Sequence, residues 1–220
     1  MPRFVDLTRP LHPDMPRFPT DPPLQVSELE SAAADSFQVC AYSLVGPAGT
    51  HVDAPSHVLP GGRSLADIPL PEMVLPLVVF SLADAPASPS LTAAHVLAWE
   101  DVHGRVPAGC FAALHTGWVP GAPQPGWSLE AVQLLHARGV RAIGHDTLNT
   151  DPAELTDRGE YPAQRWWLEH DRWQVELLTG LDAVPATGAQ MWVSWPVPAG
   201  GSSFPCRAVA VLPPARQRER

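Results

Sequence analysis

The stretch "MVLPLVVFSL" at residues 73–82 is apolar at almost every position and has the length of one strand. A strand with one wet face alternates apolar and polar residues, so a run without alternation belongs to a strand covered on both sides. Any fold that holds it must place a packed layer on each face of a sheet.

Other stretches supply the neighbours. "RFVDLT" (3–8), "LQVSELE" (24–30) and "FQVCAYSLV" (37–45) alternate and read as strands, and "GCFAALHTGW" (109–118), "RAIGHD" (141–146), "AQMWVSWPV" (189–197) and "CRAVAVL" (206–212) read as further strands. "SLTAAHVLAWEDVHG" (90–104) has helical spacing, with Ser90 or Thr92 as cap and Gly104 as stop. "SLEAVQLLHARGV" (128–140) is the clearest helix, capped by Ser128, with Leu129, Val132 and Leu135 on one face and Gly139 as stop. "YPAQRWWLEHD" (161–171) also reads as helical. The expectation is an α/β fold, one domain with a mixed β-sheet flanked by helices. It spans residues 1–213, and a basic tail follows over 214–220.

Proline limits what joins these pieces. Of the 27 prolines, six fall in "PLHPDMPRFPTDPPL" (10–24), which must be an extended loop. The formal net charge is −9, with no basic stripe, so nucleic acid is not an expected partner. The three cysteines, Cys40, Cys110 and Cys206, are far apart, which points to neither a disulfide framework nor a thiolate zinc site. No apolar run is long enough for a membrane span or a signal peptide, so a cytoplasmic protein without a membrane partner is expected.

The densest chemistry is "GTHVDAPSH", residues 49–57. If Thr50 to Asp53 is extended, His51 and Asp53 point the same way and can share an ion. Pro55 breaks the run and lets His57 turn back toward the same space. Imidazole and carboxylate together suit Zn²⁺ and also Mn²⁺. Gly49 lets backbone come close. The bland alternative is that these polar residues only serve a turn. No GxSxG elbow, HExxH, Walker loop or GxGxxG offers a competing chemistry.

At these residues the chain resembles the cyclase family of metal-dependent hydrolases, which includes kynurenine formamidases and isatin hydrolases. The family signature is HxGTHxDxPxH, and "PAGTHVDAPSH" matches all but its first histidine. "FVDLTRPLHPDMPRFPTDPP", "ALHTGW", "AIGHDTLNTD", "YPAQRWWLEHDRWQVELLTGLDAVP" and "GGSSFPCRAVAVL" extend the resemblance over nearly the whole length. It implies a swivelling β/β/α-like fold, and it implies a divalent metal, Zn or Mn, that activates water to attack a carbonyl. The implied substrate is a small amide, cyclic amide or lactone.

The same resemblance implies site residues. His51, Asp53 and Glu176 fall on metal ligands, with Asp53 able instead to orient the water. His57 falls on a second-metal ligand or proton-transfer group. Two more histidines complete the two-metal formamidase site, and here those positions are Pro47 and Gln164. Proline has no ligating side chain, and glutamine offers only a neutral carbonyl oxygen. A single-metal site from His51, Asp53 and Glu176, with Gln164, is therefore expected. A subgroup of the family lacks the first histidine in the same way. The alternative is a chain that kept the fold with a degenerate metal site and a binding or structural role.

Geometry imposes one condition. In an unbroken helix, Gln164 and Glu176 would point about 120° apart and lie about 18 Å apart along the axis. A shared site requires the helix to end near His170 or Asp171 and "WQVEL" (173–177) to return extended. Phe18, Trp118, Trp166 and Trp195 are candidates for an apolar substrate wall. His145 and Asp146 are as open to a structural role as to a functional one, and Ser203, Phe204 and Arg207 to a pocket or an interface. The other histidines, His12, His95, His103, His115, His136 and His170, read as surface or structural. The resemblance also implies a homodimer or homotetramer.

Overall fold

The structure is a computed structural model and describes residues 2–83 and 89–214. Most of the 214–220 tail thus lies outside the described residues. Among the described residues thirteen strands appear in chain order: β1 (Arg3–Asp6), β2 (Gln25–Glu30), β3 (Val39–Ser43), β4 (His51–Asp53), β5 (Val74–Ser81), β6 (Ser90–Leu91), β7 (Phe111–His115), β8 (Gly126–Trp127), β9 (Ala142–His145), β10 (Trp173–Glu176), β11 (Ala189–Ser194), β12 (Ser203–Pro205) and β13 (Arg207–Leu212). The helices are α1 (Ala32–Asp35), α2 (Ala93–His103), α3 (Leu129–Ala137), α4 (Ala153–Thr156) and α5 (Pro162–Glu169).

Nine strands form one mixed sheet in the order β1-β13-β11-β5-β7-β9-β10-β4-β12. Its centre, β5-β7-β9-β10, is parallel. Parallel neighbours need crossovers, and α2, α3 and α5 lie in those connections. The wings are antiparallel. β2 and β3 form a separate hairpin, and β6 pairs with β8.

The expectation for residues 73–82 holds. From β5, Leu75, Leu77 and Val79 enter one apolar core, and Val78 and Phe80 enter a second on the opposite face. The second core is closed by the crossover helices through Val96, Val132, Leu135 and Trp167. The first is closed by the sheet itself. β12 and β13 stand near opposite ends of the strand order, yet only Cys206 separates them in sequence. One residue spans about 3.5 Å, so the sheet must curl until its edges meet. Val52 of β4 and Ala208 of β13 accordingly share the first core with Trp173 and Val175.

Thr50 locks this closure. Its hydroxyl donates to Leu177 O at 2.7 Å and accepts from Arg9 N at 2.9 Å, and its carbonyl accepts from Cys206 N at 2.9 Å. Local signals place the helices. Thr92 and His95 form a reciprocal capping box on α2, and Ser128 accepts from Ala131 N on α3. Gly104 and Gly139 follow those helices with positive φ. No helix among the described residues is long and apolar enough to cross a membrane.

Candidate metal centre

β4 lies between β10 and β12, and its register decides which side chains meet. His51 is opposite Glu176 and Pro205, and Asp53 is opposite Gln174 and Ser203. Opposed residues share a face, so His51, Asp53, Gln174, Glu176 and Ser203 project together. Val52, Val175 and Trp173 point to the other face and anchor the three strands in the first core. Alternation along a short buried strand thus separates chemistry from packing.

The three candidate ligand atoms converge. His51 Nε2 lies 3.7 Å from Asp53 Oδ1 and 3.5 Å from Glu176 Oε2. All three lie within 4.8 Å of one another and belong to buried residues. His51 Nδ1 is 2.8 Å from Gly49 O, so Nδ1 carries a proton and donates it, and Nε2 is the ring nitrogen that faces the carboxylates. Gly49 has φ +60°, and a Cβ there would stand 2.6 Å from Leu11 Cδ2, so the turn that delivers this carbonyl requires glycine.

A second layer holds the carboxylates. Gln174 Nε2 donates to Asp53 Oδ2 at 3.1 Å and to Glu176 Oε1 at 2.9 Å. Thr150 Oγ1 lies 2.9 Å from Gln174 Oε1 and 3.2 Å from Glu176 Oε1. His145 Nε2 lies 3.2 Å from Thr150 Oγ1 and 3.6 Å from Glu176 Oε1. Each carboxylate is therefore gripped by one oxygen and presents the other. Asp53 Oδ1 and His51 Nε2 are buried with no hydrogen-bond partner. Buried polar atoms without partners are costly, and a cation satisfies a neutral imidazole nitrogen and a carboxylate oxygen together. The residues present fit a divalent metal.

Electrostatics agrees. Burial alone would depress the His51 pKa, but the Asp53 and Glu176 carboxylates outweigh it and hold it at about 9. Burial would raise Asp53, but the His51 and His57 charges pull it well below the usual carboxylate range. Two carboxylates facing one imidazole create a strong demand for positive charge.

These residues floor a cavity of about 370 Å³. His57, Pro47 and Gln164 line it with them. His57 ends the short turn Pro55–His57 and is exposed at the rim, outside the three-atom group that includes His51. Gln164 arrives because α5 ends at Glu169 and β10 returns extended, which meets the geometric condition on Gln164 and Glu176. Asp151 fixes the start of that helix by accepting from Ala163 N at 2.8 Å and Gln164 N at 3.0 Å. Its burial raises its own pKa to about 6 in spite of those bonds.

The aromatic expectations need correction. Phe18 lines the cavity, but Trp118, Trp166 and Trp195 do not. Trp195 is buried against Trp173, Trp166 stacks on His170, and Trp118 donates to Ala122 O. The aromatic wall is Phe18 with Tyr161, and Arg165 adds a cation. His145 belongs to the second layer, whereas Asp146 is structural, accepting from Thr116 N and Gly117 N. Arg207 pairs with Asp6. Gln174 was missed, although strand alternation puts it on the face of Glu176. Thr150 carried no local signal.

The family model described as putative cyclase matches residues 5–152. Kynurenine formamidase from Maricaulis maris is 30% identical over 223 residues, covering 95% of this chain and 98% of that protein. Isatin hydrolase from Roseibium aggregatum is 25% identical over 243 residues, covering 96% and 92%. Among solved structures, isatin hydrolase A from Ralstonia solanacearum superimposes with a TM-score of 0.86 at 28% identity, covering 96% of this chain and 92% of that one.

Proposed function

The chain belongs to the cyclase family, and on that premise we propose that it is a metal-dependent hydrolase of a small amide, cyclic amide or lactone. The observation that carries the reading is the buried convergence of His51 Nε2, Asp53 Oδ1 and Glu176 Oε2 at the floor of the cavity. The similarity to an isatin hydrolase and a kynurenine formamidase supports the carbonyl substrate class.

A divalent cation bound there supplies Lewis-acid polarisation of a carbonyl and a lowered pKa for water. The donor set of one imidazole and two carboxylate oxygens suits Mn²⁺ at least as well as Zn²⁺. Everything else is done by the chain. Gly49 O sets the His51 tautomer, and Gln174 turns Asp53 Oδ1 and Glu176 Oε2 toward the cavity. His57, at the rim and close enough to act on the Asp53 charge, is placed to carry a proton between the reacting centre and solvent. Phe18, Val58, Leu148 and Tyr161 give the substrate an apolar wall.

Metal analysis of protein purified without chelator, followed by a hydrolysis screen on N-formylkynurenine, isatin and simple lactones, tests the reading. About one equivalent of transition metal and turnover of at least one substrate are expected. Protein without metal, and without rescue by added Mn²⁺ or Zn²⁺, overturns it.

A further inference from the structure

His145 is fully buried at the C-terminal end of β9, and its backbone is held on both sides. Its carbonyl accepts from Leu178 N at 2.9 Å, just beyond β10, and Leu114 of β7 is its partner across the sheet. A buried imidazole needs partners for both nitrogens. Here Nδ1 faces Thr147 Oγ1 at 2.9 Å, and Nε2 faces Thr150 Oγ1 at 3.2 Å. Thr150 is equally fixed. Its carbonyl accepts from Trp127 N at 2.7 Å, and a Cβ on Gly126 would stand 2.5 Å from that oxygen, so glycine is what lets the two segments approach.

The Thr150 hydroxyl has one hydrogen and three neighbours: Gln174 Oε1 at 2.9 Å, Glu176 Oε1 at 3.2 Å and His145 Nε2 at 3.2 Å. Gln174 decides between them. Its amide nitrogen serves both Asp53 and Glu176, so its oxygen points at Thr150 and can only accept. Glu176 Oε1 already has that amide as its donor. The hydrogen of Thr150 therefore goes to Gln174, and a lone pair of Thr150 Oγ1 faces His145. His145 Nε2 must then supply the hydrogen between them. Thr147 Oγ1 can give or take a hydrogen, so it suits Nδ1 in this arrangement. A hydrogen on Nδ1 alone would draw the Thr150 hydroxyl to Nε2 and set its lone pairs against Gln174 Oε1. The amide could relieve that only by flipping, which would turn its oxygen on two carboxylates.

We propose, resting on the metal site described above, that His145 is a positioning residue: hydrogen on Nε2 directs the Thr150 hydroxyl, which directs the Gln174 amide, which aims Asp53 and Glu176 into the cavity. His145 itself touches neither ion nor substrate. Its part is to fix the sense of a chain of hydrogen bonds that would otherwise have two directions.

Two measurements on the full chain test it. Long-range proton–nitrogen correlation spectra of the metal-free protein report which ring nitrogen of His145 carries hydrogen. Hydrogen on Nε2 is expected, and hydrogen on Nδ1 alone overturns the proposal. Chelator competition with Mn²⁺ is the second readout. His145→Phe and Thr150→Val are each expected to weaken binding roughly 10–100-fold, and Thr150→Ser, which keeps the hydroxyl, to recover most of the loss. Because both residues act through Gln174, neither substitution should weaken binding further in a Gln174→Ala background. Full additivity there, or wild-type affinity in Thr150→Val or His145→Phe, overturns the proposal. Wild-type protein that binds no metal overturns the hydrolase reading instead, and the hydrogen on the His145 ring still decides this one.

Discussion

His51 and Glu176 are directly opposed in the β4–β10 ladder, and Nε2 of the first lies 3.5 Å from Oε2 of the second. The antiparallel register alone brings these distant parts of the chain together. A one-residue slip would turn Glu176 into the core and Val175 into the site.

His51→Ala removes the only imidazole of the three-atom group. Loss of an outer partner of a metal ligand already costs roughly 10–100-fold in affinity, and loss of the ligand costs more. Elemental analysis is expected to show background metal, and hydrolysis to fall by more than about 100-fold. Metal content equal to wild type would mean that the ion is held elsewhere.

Gln174→Ala keeps all three candidate ligand atoms but releases the amide that orients both carboxylates. Metal affinity is expected to drop about 10–100-fold in a chelator competition titration, with saturation restored at high metal. The stoichiometry should not change.

The pKa of His51, raised from 6.5 to about 9, makes two pH predictions. A histidine raised on folding stabilises the chain fully below its unfolded value, and that contribution is lost as pH rises through about 9. The metal-free protein should therefore melt lower at pH 9.5 than at pH 7, and His51→Ala should lessen the difference. Metal needs the neutral ring, so binding at pH 7 should release about one proton, measurable by calorimetry in two buffers.

Pro47 and Gln164 line the cavity at the positions where the two-metal formamidase pattern carries histidines. Pro47→His/Gln164→His restores two imidazoles to that wall. Elemental analysis is expected to rise from about one metal equivalent to about two. An unchanged stoichiometry would show that these positions do not converge on a second ion.

Trp173 is fully buried in the first core, packed on Phe111 and Trp195, with its indole N–H donated to Glu72. Trp173→Ala is expected to cost about 3–5 kcal/mol. A thermal melt should fall by roughly 10 °C.

Local patterns were legible because their causes are local. Alternation marked β1, β2 and β3, unbroken apolarity marked β5, and Ser128, Thr92 and Gly139 bounded their helices through side-chain and φ preferences. "GTHVDAPSH" placed His51 and Asp53 on one face for the same reason. The aromatic wall was harder to read, because composition names tryptophans without saying where they point. Trp195 went to the core, while Tyr161 reached the cavity beside the start of α5, which Asp151 fixes from the segment after β9.

Local patterns therefore placed His51 and Asp53 on one face, and the likeness to a family named Glu176 as their partner. The fold adds the convergence of these three candidate ligands and the hydrogen-bonded layer around them. Glu176, Gln174, Thr150 and His145 meet His51 and Asp53 only through strand order and register. Those in turn follow from a sheet that must curl, because one residue, Cys206, joins strands that belong near its opposite edges.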